Sequence, residues 1–474
     1  MKYDVLIAGA GCVGSAIAWA LAKYDLRVAL LDRENDAGTG ATRANSAISH
    51  AGFDPKPGTL MAKLNVGGSR MMEDVCRRLS VPYRRNGAMV LALSDDDCPR
   101  VRALYERGLE NGVKPLSLLT GDETRALEPA LSPEVRLALH APGSAIISPW
   151  ELAIAFADNA VENGVEWFPR HEVTRVEPLA DGGWQVEAGG ETFETRYLVN
   201  AAGVGSDRIS RAAGGLNYTM EPNKGVYYVF DKAAGSTVSH TIFQVPGPDG
   251  KGVLVSPTVH GNLIAGPNAV ACERDDCSAD AESMEYVRRV AARSVPDLNY
   301  RLAIRNFAGV RPNTDLSDFY IAIDRPGFVN LAGIKSPGLT ASPAIGVYVA
   351  ELLGKDGLPL HERADYIAER KRTTFRFLSA EQKAELIRRD PRFGRVICRC
   401  ETITEGEIVE ALHSPTCPPT IDAVKRRCNA GLGRCQGGFC GPRVAELICR
   451  EKGIDMLRLQ KDLDGSFILT EKMQ

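Results

Sequence analysis

Residues 3–32, YDVLIAGAGCVGSAIAWALAKYDLRVALLD, leave few folds open to the chain. Val5, Leu6 and Ile7 form a short apolar run, and Gly9, Gly11 and Gly14 follow in the pattern G-x-G-x-x-G. The spacing predicts a strand, a tight turn and a helix. The first glycine permits the turn, the second lets a pyrophosphate approach the backbone, and the third lets helix pack on strand. The helix N-terminus presents free N–H groups and a partial positive charge to the phosphates. Val28, Leu30 and Leu31 predict a second strand, closed by Asp32 eighteen residues after Gly14. A carboxylate at that point can accept from a ribose hydroxyl. Strand, helix and acid in this order point to a bound dinucleotide, without choosing between FAD and NAD.

The length of 474 residues leaves ample chain for a large core and about two to four domains. A formal charge of −3 gives no global reason to expect nucleic acid as a partner. No apolar run reaches the ~18 to 20 residues of a membrane span, and the chain enters its first strand too early for a signal peptide. A cytoplasmic protein is expected, peripheral to the membrane only through a partner. In that compartment the twelve cysteines are not expected to form a disulfide framework. Five are scattered, and the other seven lie between Cys398 and Cys449.

After Asp32 a glycine- and proline-broken loop carries Thr42, Asn45, Ser46 and His50, placed to run along the cofactor. The pattern then predicts a helix over 61–79 and a strand over 83–93. Ser148-Pro149-Trp150-Glu151 predicts a capped helix start. Strands are expected near 173–179, 184–188 and 196–200, with Asp181-Gly182-Gly183 as a hairpin turn. Residues 216–270 read as an antiparallel sheet roofing the cofactor, 281–294 as helix, 328–334 as strand, and Ser342-Pro343 as the start of a helix ending near Gly354. Between Arg363 and Arg395 charges crowd together, which predicts an amphipathic helical linker with a solvated face. The fold class is α/β: a Rossmann-like nucleotide domain over 1–375 with insertions at about 76–145 and 216–305. A linker over 376–394, a small helical unit over 395–450 and a tail over 451–474 complete the chain.

Two further segments bear on the dinucleotide. At Asn200-Ala201-Ala202-Gly203 a strand runs into small residues that let backbone approach a ligand. At Ser336-Pro337-Gly338-Leu339-Thr340 a glycine turn before a helix stabilises negative charge, as a reduced flavin requires. The stretches 45–68, NKGVYYVFDK at 223–232, AGPNAV at 265–270, FAGVRPN at 307–313 and GIKSPGLTASPAIG at 333–346 resemble the D-amino-acid-oxidase superfamily of FAD enzymes. The likeness is greatest to flavoprotein subunits of anaerobic-type glycerol-3-phosphate dehydrogenases and to L-2-hydroxyglutarate oxidases. The resemblance implies that Gly9, Gly11, Gly14, Asp32 and Arg33 hold the adenosine and pyrophosphate. It further implies that Thr42, Asn45 and Ser46 line the FAD, that Val173 meets the adenine, and that Gly338, Leu339 and Thr340 contact the isoalloxazine. Asp32 stands where relatives usually carry Glu, and Lys335 where an acid is common. His50 is the candidate base, Arg311 the candidate clamp for a small anionic substrate, and Lys224 a second candidate cation.

Cys398-Arg399-Cys400 and Cys435-QGGF-Cys440 place four thiols in two tight pairs, suited to zinc or to an iron–sulfur cluster. The unit resembles the bacterioferritin-associated-ferredoxin-like [2Fe–2S] domain through GLGRCQGGFCGPRV at 431–444. The resemblance implies that Cys398, Cys400, Cys435 and Cys440 hold the cluster, with Cys428 the first alternative among the other three. One FAD and one single-electron carrier imply a dehydrogenase, and the resemblance to the family branch that carries this cluster domain implies sn-glycerol 3-phosphate as its substrate. Its electrons would pass to a partner protein, either a second flavoprotein or a membrane-associated quinone reductase. A 2-hydroxy acid or an amino acid is the alternative substrate. A redox-sensing or electron-transfer subunit is the alternative of another class.

Overall fold

The computed structural model describes residues 2–180, 182–246 and 252–471. Its first layer is an eight-stranded sheet around the N-terminal strand Lys2–Ala8. That strand pairs in parallel with Val28–Leu31 on one side and Glu191–Asn200 on the other. Glu166–Phe168 and Phe328–Ala332 extend the parallel set outward. Residues 5–8, Val28–Leu31 and Phe328–Ala332 are buried along their whole length and largely apolar, as parallel strands under helices should be. An antiparallel hairpin, Val173–Pro178 and Trp184–Ala188, is added to the first half of Glu191–Asn200. Gly182 and Gly183 turn it with φ of +94° and +88°, while Asp181 lies outside the described residues.

Helices Cys12–Leu21, Leu60–Arg78, Pro149–Glu162 and Gly338–Lys355 pack together against this sheet. Their crossings are close because small residues sit at them. A Cβ added to Gly346 would stand 2.4 Å from the Ala16 carbonyl oxygen, and one on Gly68 would stand 2.0 Å from that of Thr340.

The second layer is a nine-stranded sheet built from both expected insertions. Strands Asn223–Phe230, Leu263–Gly266, Leu254–Pro257 and Thr241–Gln244 run antiparallel in that spatial order. Ala88–Ala92 joins Thr241–Gln244 in parallel and carries Leu137–Ala141 and Ser117–Thr120 beyond it. Ala303–Arg311 pairs along the full length of Asn223–Phe230.

Four local readings need correction. The strand expected over 83–93 is two pieces, Tyr83–Arg84 and Ala88–Ala92, in different sheets, because Gly87 (φ +73°) breaks it. The last core helix begins at Gly338, not Ser342. Pro343 lies inside it and cannot donate to the Leu339 carbonyl, and the Ser342 hydroxyl donates there instead at 2.9 Å. Ser148 precedes Pro149–Glu162 without a side-chain cap, since Glu151 turns inward to His260 (2.8 Å) and Arg372. Burial alone would raise the Glu151 pKa, but the Arg372 and His260 charges outweigh it and hold the carboxyl at about 2.

The fourth concerns the charged linker. Only Ala380–Arg389 is an exposed helix. Residues 366–374 run without helix across the nucleotide domain, where Arg370 pairs with the buried Asp158 at 2.9 Å. The C-terminal unit carries helices Glu405–Leu412, Ile421–Cys428 and Gly441–Lys452, the first with a Thr404–Glu407 capping box. It is clamped to the first domain. Asp36, fully buried, accepts from Arg426 Nε (3.0 Å) and from Arg427 Nη1 and Nη2 (2.9 and 2.7 Å). The segment expected as a C-terminal tail runs along the same loop, with Asp462 bonded to Arg43 at 2.6 Å and to Arg426 at 2.7 Å.

Candidate active site

One cavity of about 610 Å³ runs between the two layers. Its wall carries Gly9, Gly11, Asp32, Arg33, Thr42, Asn45, Ser46 and Val173 towards one end. Ala202, Gly203, Gly338, Leu339, Thr340, His50 and Arg311 complete the set of expected residues in the wall. Gly14 lies behind it, where an added Cβ would stand 1.8 Å from the Gly9 carbonyl oxygen. Gly9 itself needs its φ of +105° for the turn.

The loop geometry shows why the nucleotide end has its shape. Asp32 Oδ2 accepts from the Ala10 amide at 2.7 Å and Oδ1 from the Glu34 amide at 2.9 Å. Burial raises its pKa to about 6, against those two hydrogen bonds, which lower it. The helix Cys12–Leu21 starts at the cavity with no cap from the side chain of its own N-cap residue, Gly11, and the amides that follow Cys12 are placed to meet phosphate. Thr42 Oγ1 accepts from the Cys12 amide at 2.9 Å and ties the long loop to this turn. Asn45 shapes its own loop, donating to Thr42 O at 2.7 Å and accepting from the Ala47 amide at 2.8 Å. Ser46 meets the Tyr227 hydroxyl of the roof at 3.0 Å.

At the other end, the N-terminus of Gly338–Lys355 opens on the cavity, and Lys335 lines the wall beside it. Thr340 Oγ1 accepts from the His50 amide at 2.9 Å and donates to Ile48 O at 3.2 Å, which fixes the histidine's backbone. Arg311 donates to the Asn223 side chain and, at 3.1 Å, to Asn268 O. Gly225 makes room for it, since an added Cβ would stand 2.3 Å from Arg311 Nη2.

Lys224 does not reach the wall. Successive strand residues point to opposite faces, and here Asn223 and Tyr227 face the cavity. Lys224 therefore faces away and pairs with Asp276 at 2.8 Å and Asp280 at 3.5 Å. Asn223, Asn268 and Tyr227 were missed among the site residues. The alternation along NKGVYYVF would have identified the first and last once one inward residue was known.

Cys398, Cys400, Cys435 and Cys440 meet in the C-terminal unit. Cys398 and Cys400 sulfurs are 3.8 Å apart. Cys398 also contacts Cys440, and Cys400 contacts Cys435. Among the described residues no group of three or more His, Cys, Asp or Glu is placed to hold one metal ion; the thiols meet two by two. Amides of Phe439 and Gly437 point at Cys435 and hold its thiol below the usual range. Gly433 leaves space for the Cys400 sulfur, which an added Cβ would approach to 2.4 Å. Facing thiol pairs ringed by amides fit a two-iron cluster. Cys428 instead donates to Val424 O at 3.2 Å within its own helix.

Residues 4–352 match the family model of FAD dependent oxidoreductases, and residues 396–450 match that of the BFD-like [2Fe-2S] binding domain. The chain is an FAD-dependent oxidoreductase of this family.

The oxidoreductase is 46% identical over 472 residues to a glycerol 3-phosphate dehydrogenase of Caloramator mitchellensis, covering 99% of this chain and 98% of that one. It is 28% identical to an L-2-hydroxyglutarate dehydrogenase of Indibacter alkaliphilus, covering 74% of this chain and 98% of that one. Among solved structures, the FAD-bound L-alpha-glycerophosphate oxidase of Mycoplasma pneumoniae superposes with a TM-score of 0.74 at 30% identity, over 78% of this chain and 98% of that one. The oxidoreductase thus uses FAD and a [2Fe–2S] cluster. Among the described residues no helix is long and apolar enough to cross a membrane.

If Asp32 accepts from the ribose, its raised pKa should make FAD retention by the oxidoreductase depend on pH. Its pKa without nucleotide is raised to about 6, and a ribose hydroxyl donating to it favours the ionised form. Binding therefore releases a proton near that pH, and FAD affinity should fall as pH drops from 7 to 5. Equilibrium dialysis across this range checks it; a flat profile, or an unchanged slope in Asp32→Asn, would count against this role for Asp32.

Proposed function

We propose that this enzyme oxidises sn-glycerol 3-phosphate to dihydroxyacetone phosphate and sends the electrons through its cluster to a partner protein. The observation that carries the reading is Arg311, a guanidinium set in the same cavity wall as His50 and the flavin-edge helix. A fork of parallel N–H donors suits a phosphate or carboxylate. The full-length relative named for glycerol 3-phosphate favours the phosphate.

His50 takes the hydroxyl proton of the substrate, and Arg311 holds its anionic end. Asn223 and Asn268 keep the guanidinium in place. Tyr227 and Phe243 bring the roof sheet into the cavity wall, which keeps bulk water from the reacting carbon. Gly9, Gly11, Asp32, Thr42 and Ser46 hold the nucleotide, and Cys398, Cys400, Cys435 and Cys440 the two irons. Bound FAD supplies the acceptor for the hydride leaving the carbinol carbon, and the bound cluster carries electrons onward singly. The surface around the cluster supports an exit to a second flavoprotein or a membrane-associated quinone reductase, since Cys400 is exposed and Phe439 is 87% exposed.

Arg311 would equally hold the carboxylate of a 2-hydroxy acid, so the substrate is decided by comparison. Anaerobic protein should be mixed with sn-glycerol 3-phosphate, L-2-hydroxyglutarate and L-proline in turn, and the bleaching of the flavin band followed. Glycerol 3-phosphate should bleach it fastest. Bleaching by L-2-hydroxyglutarate alone would overturn the substrate, and no bleaching by any of them would favour a redox sensor.

A further inference from the structure

His50 borders two spaces. One is the large cavity. The other is a small pocket of about 20 Å³, walled by Phe53, Asp54, Val90, Leu104, Phe243, Gln244 and Pro246 besides the histidine. Asp54 is the one carboxylate in that wall, and a space of this size holds about one water. Asp54 is half-buried against this largely apolar wall, where a polar partner favours a carboxylate, and both Asp54 and His50 are engaged in a polar or ring interaction.

The chain between them is fixed at alternate carbonyls, those of His50, Gly52 and Asp54. Asn65 Nδ2 donates to His50 O at 2.9 Å. Asn111 Nδ2 donates to Gly52 O at 3.0 Å and to Pro55 O at 2.8 Å, and Arg107 Nη1 to Asp54 O at 2.9 Å. Gly52, at φ +114°, folds the segment back between the two residues. The Phe243 ring lies against the imidazole at 5.8 Å between centroids, tilted 31°. Two helices thus spend side chains on holding a five-residue turn whose ends are an imidazole and a carboxylate.

We infer that Asp54 is the positioning residue of His50: its carboxylate accepts from one ring nitrogen and leaves the other facing the large cavity as proton acceptor. The inference rests on His50 acting as the base. An acceptor behind an imidazole selects the tautomer and stabilises the ring once it is protonated. Among the described residues, the other elements around His50 bring no competing anion to the small pocket. Helix Leu60–Arg78 brings Asn65, helix Gly338–Lys355 brings Thr340, and strand Thr241–Gln244 brings Phe243 and Gln244. Arg107 is engaged at the Asp54 carbonyl. Across the large cavity stand Arg311 and Lys335, with the phenols of Tyr227 and Tyr286, while Asp32, Glu34 and Glu172 belong to its nucleotide end.

The test uses the FAD-loaded enzyme with sn-glycerol 3-phosphate. Flavin bleaching is followed against pH for the parent, Asp54→Asn, Asp54→Glu, His50→Gln and the double variant. The His50 ring is titrated separately by NMR of carbon-labelled histidine. Asp54→Asn should slow bleaching on the order of 10- to 100-fold, leave substrate affinity nearly unchanged, and lower both the His50 titration and the acid limb of the profile. Asp54→Glu, which keeps the charge, should recover part of the rate, and Asp54→Asn should add little in the His50→Gln background. A parent-like rate and an unmoved His50 titration in Asp54→Asn, or losses that multiply in the double variant, would overturn the pairing. Parent-like bleaching in His50→Gln would overturn the base itself, and the pairing with it.

Discussion

Arg427→Ala should destabilise the folded protein by about 3 kcal/mol, the low end of what breaking a buried ion pair costs, because Asp36 keeps Arg426 as a second partner. Arg427 donates two of the hydrogen bonds that Asp36 receives from the C-terminal unit, and both residues are almost wholly buried. The same guanidinium also donates to Thr416 Oγ1 at 2.9 Å and to Ser414 Oγ at 2.9 Å, so its loss opens several acceptors at once. Asp36 lies four residues beyond Asp32, on the loop that reaches Thr42 and Ser46. Loosening it should therefore speed FAD release as well as lower the unfolding midpoint. Denaturant unfolding with the flavin and the iron–sulfur absorption as separate probes checks this. The double variant Asp36→Ala/Arg427→Ala should lose less than the two single losses added together, because the Asp36–Arg427 interaction is counted in both, although Arg426 then keeps only Asp462. A single-variant loss below about 1 kcal/mol would mean that the joint is solvated and behaves as a surface pair.

Arg311→Ala should reduce kcat/KM for an anionic substrate by roughly one and a half to three and a half powers of ten. That corresponds to about 2 to 5 kcal/mol for truncating one partner of a shielded, hydrogen-bonded charge pair. FAD content should hold, because Arg311 belongs to the strand Ala303–Arg311 of the roof and not to the glycine turn. Arg311→Lys should recover only part of the loss, since an ammonium cannot present the paired fork. Gly225 gives an independent check. Its missing side chain makes the room the guanidinium occupies, so Gly225→Ala should resemble a weaker Arg311 variant in substrate affinity while retaining FAD. Steady-state kinetics with an artificial dye as acceptor reads all three. An Arg311→Ala enzyme as efficient as its parent would place the clamp elsewhere.

The parts of this molecule that were legible in the sequence are those whose cause is local. Gly9, Gly11 and Asp32 follow from a turn and a strand that neighbouring residues dictate, and Thr404 with Glu407 forms a cap within four residues. The four thiols that meet in the C-terminal unit were legible as two tight pairs because two short loops carry their spacing, while their assignment to a cluster rested on the resemblance. Lys224 was misread because its parity on the strand depends on which face the roof turns down, and that is settled by pairing with distant strands. Arg370 and Arg372 read as solvated charges for the same reason. Their partners, Asp158 and Glu151, lie over two hundred residues earlier, and the Asp36–Arg427 pair spans 391 residues. Pro343 misled by an ordinary rule, as a proline more often starts a helix than sits inside one. Ser342, one residue before it, supplies the donor that the rule assumes is missing.

Anaerobic addition of sn-glycerol 3-phosphate to the oxidised, fully loaded enzyme tests the account most directly. The flavin band and the electron paramagnetic resonance of the cluster are followed together, in the parent and in Cys435→Ser. In the parent the flavin should bleach first and the signal of a reduced [2Fe–2S] cluster should follow. In Cys435→Ser the flavin should bleach equally fast with no such signal, and reduction of the physiological acceptor should stop. A flavin that glycerol 3-phosphate leaves oxidised, or a Cys435→Ser enzyme that still passes electrons to that acceptor at the parent rate, would contradict it.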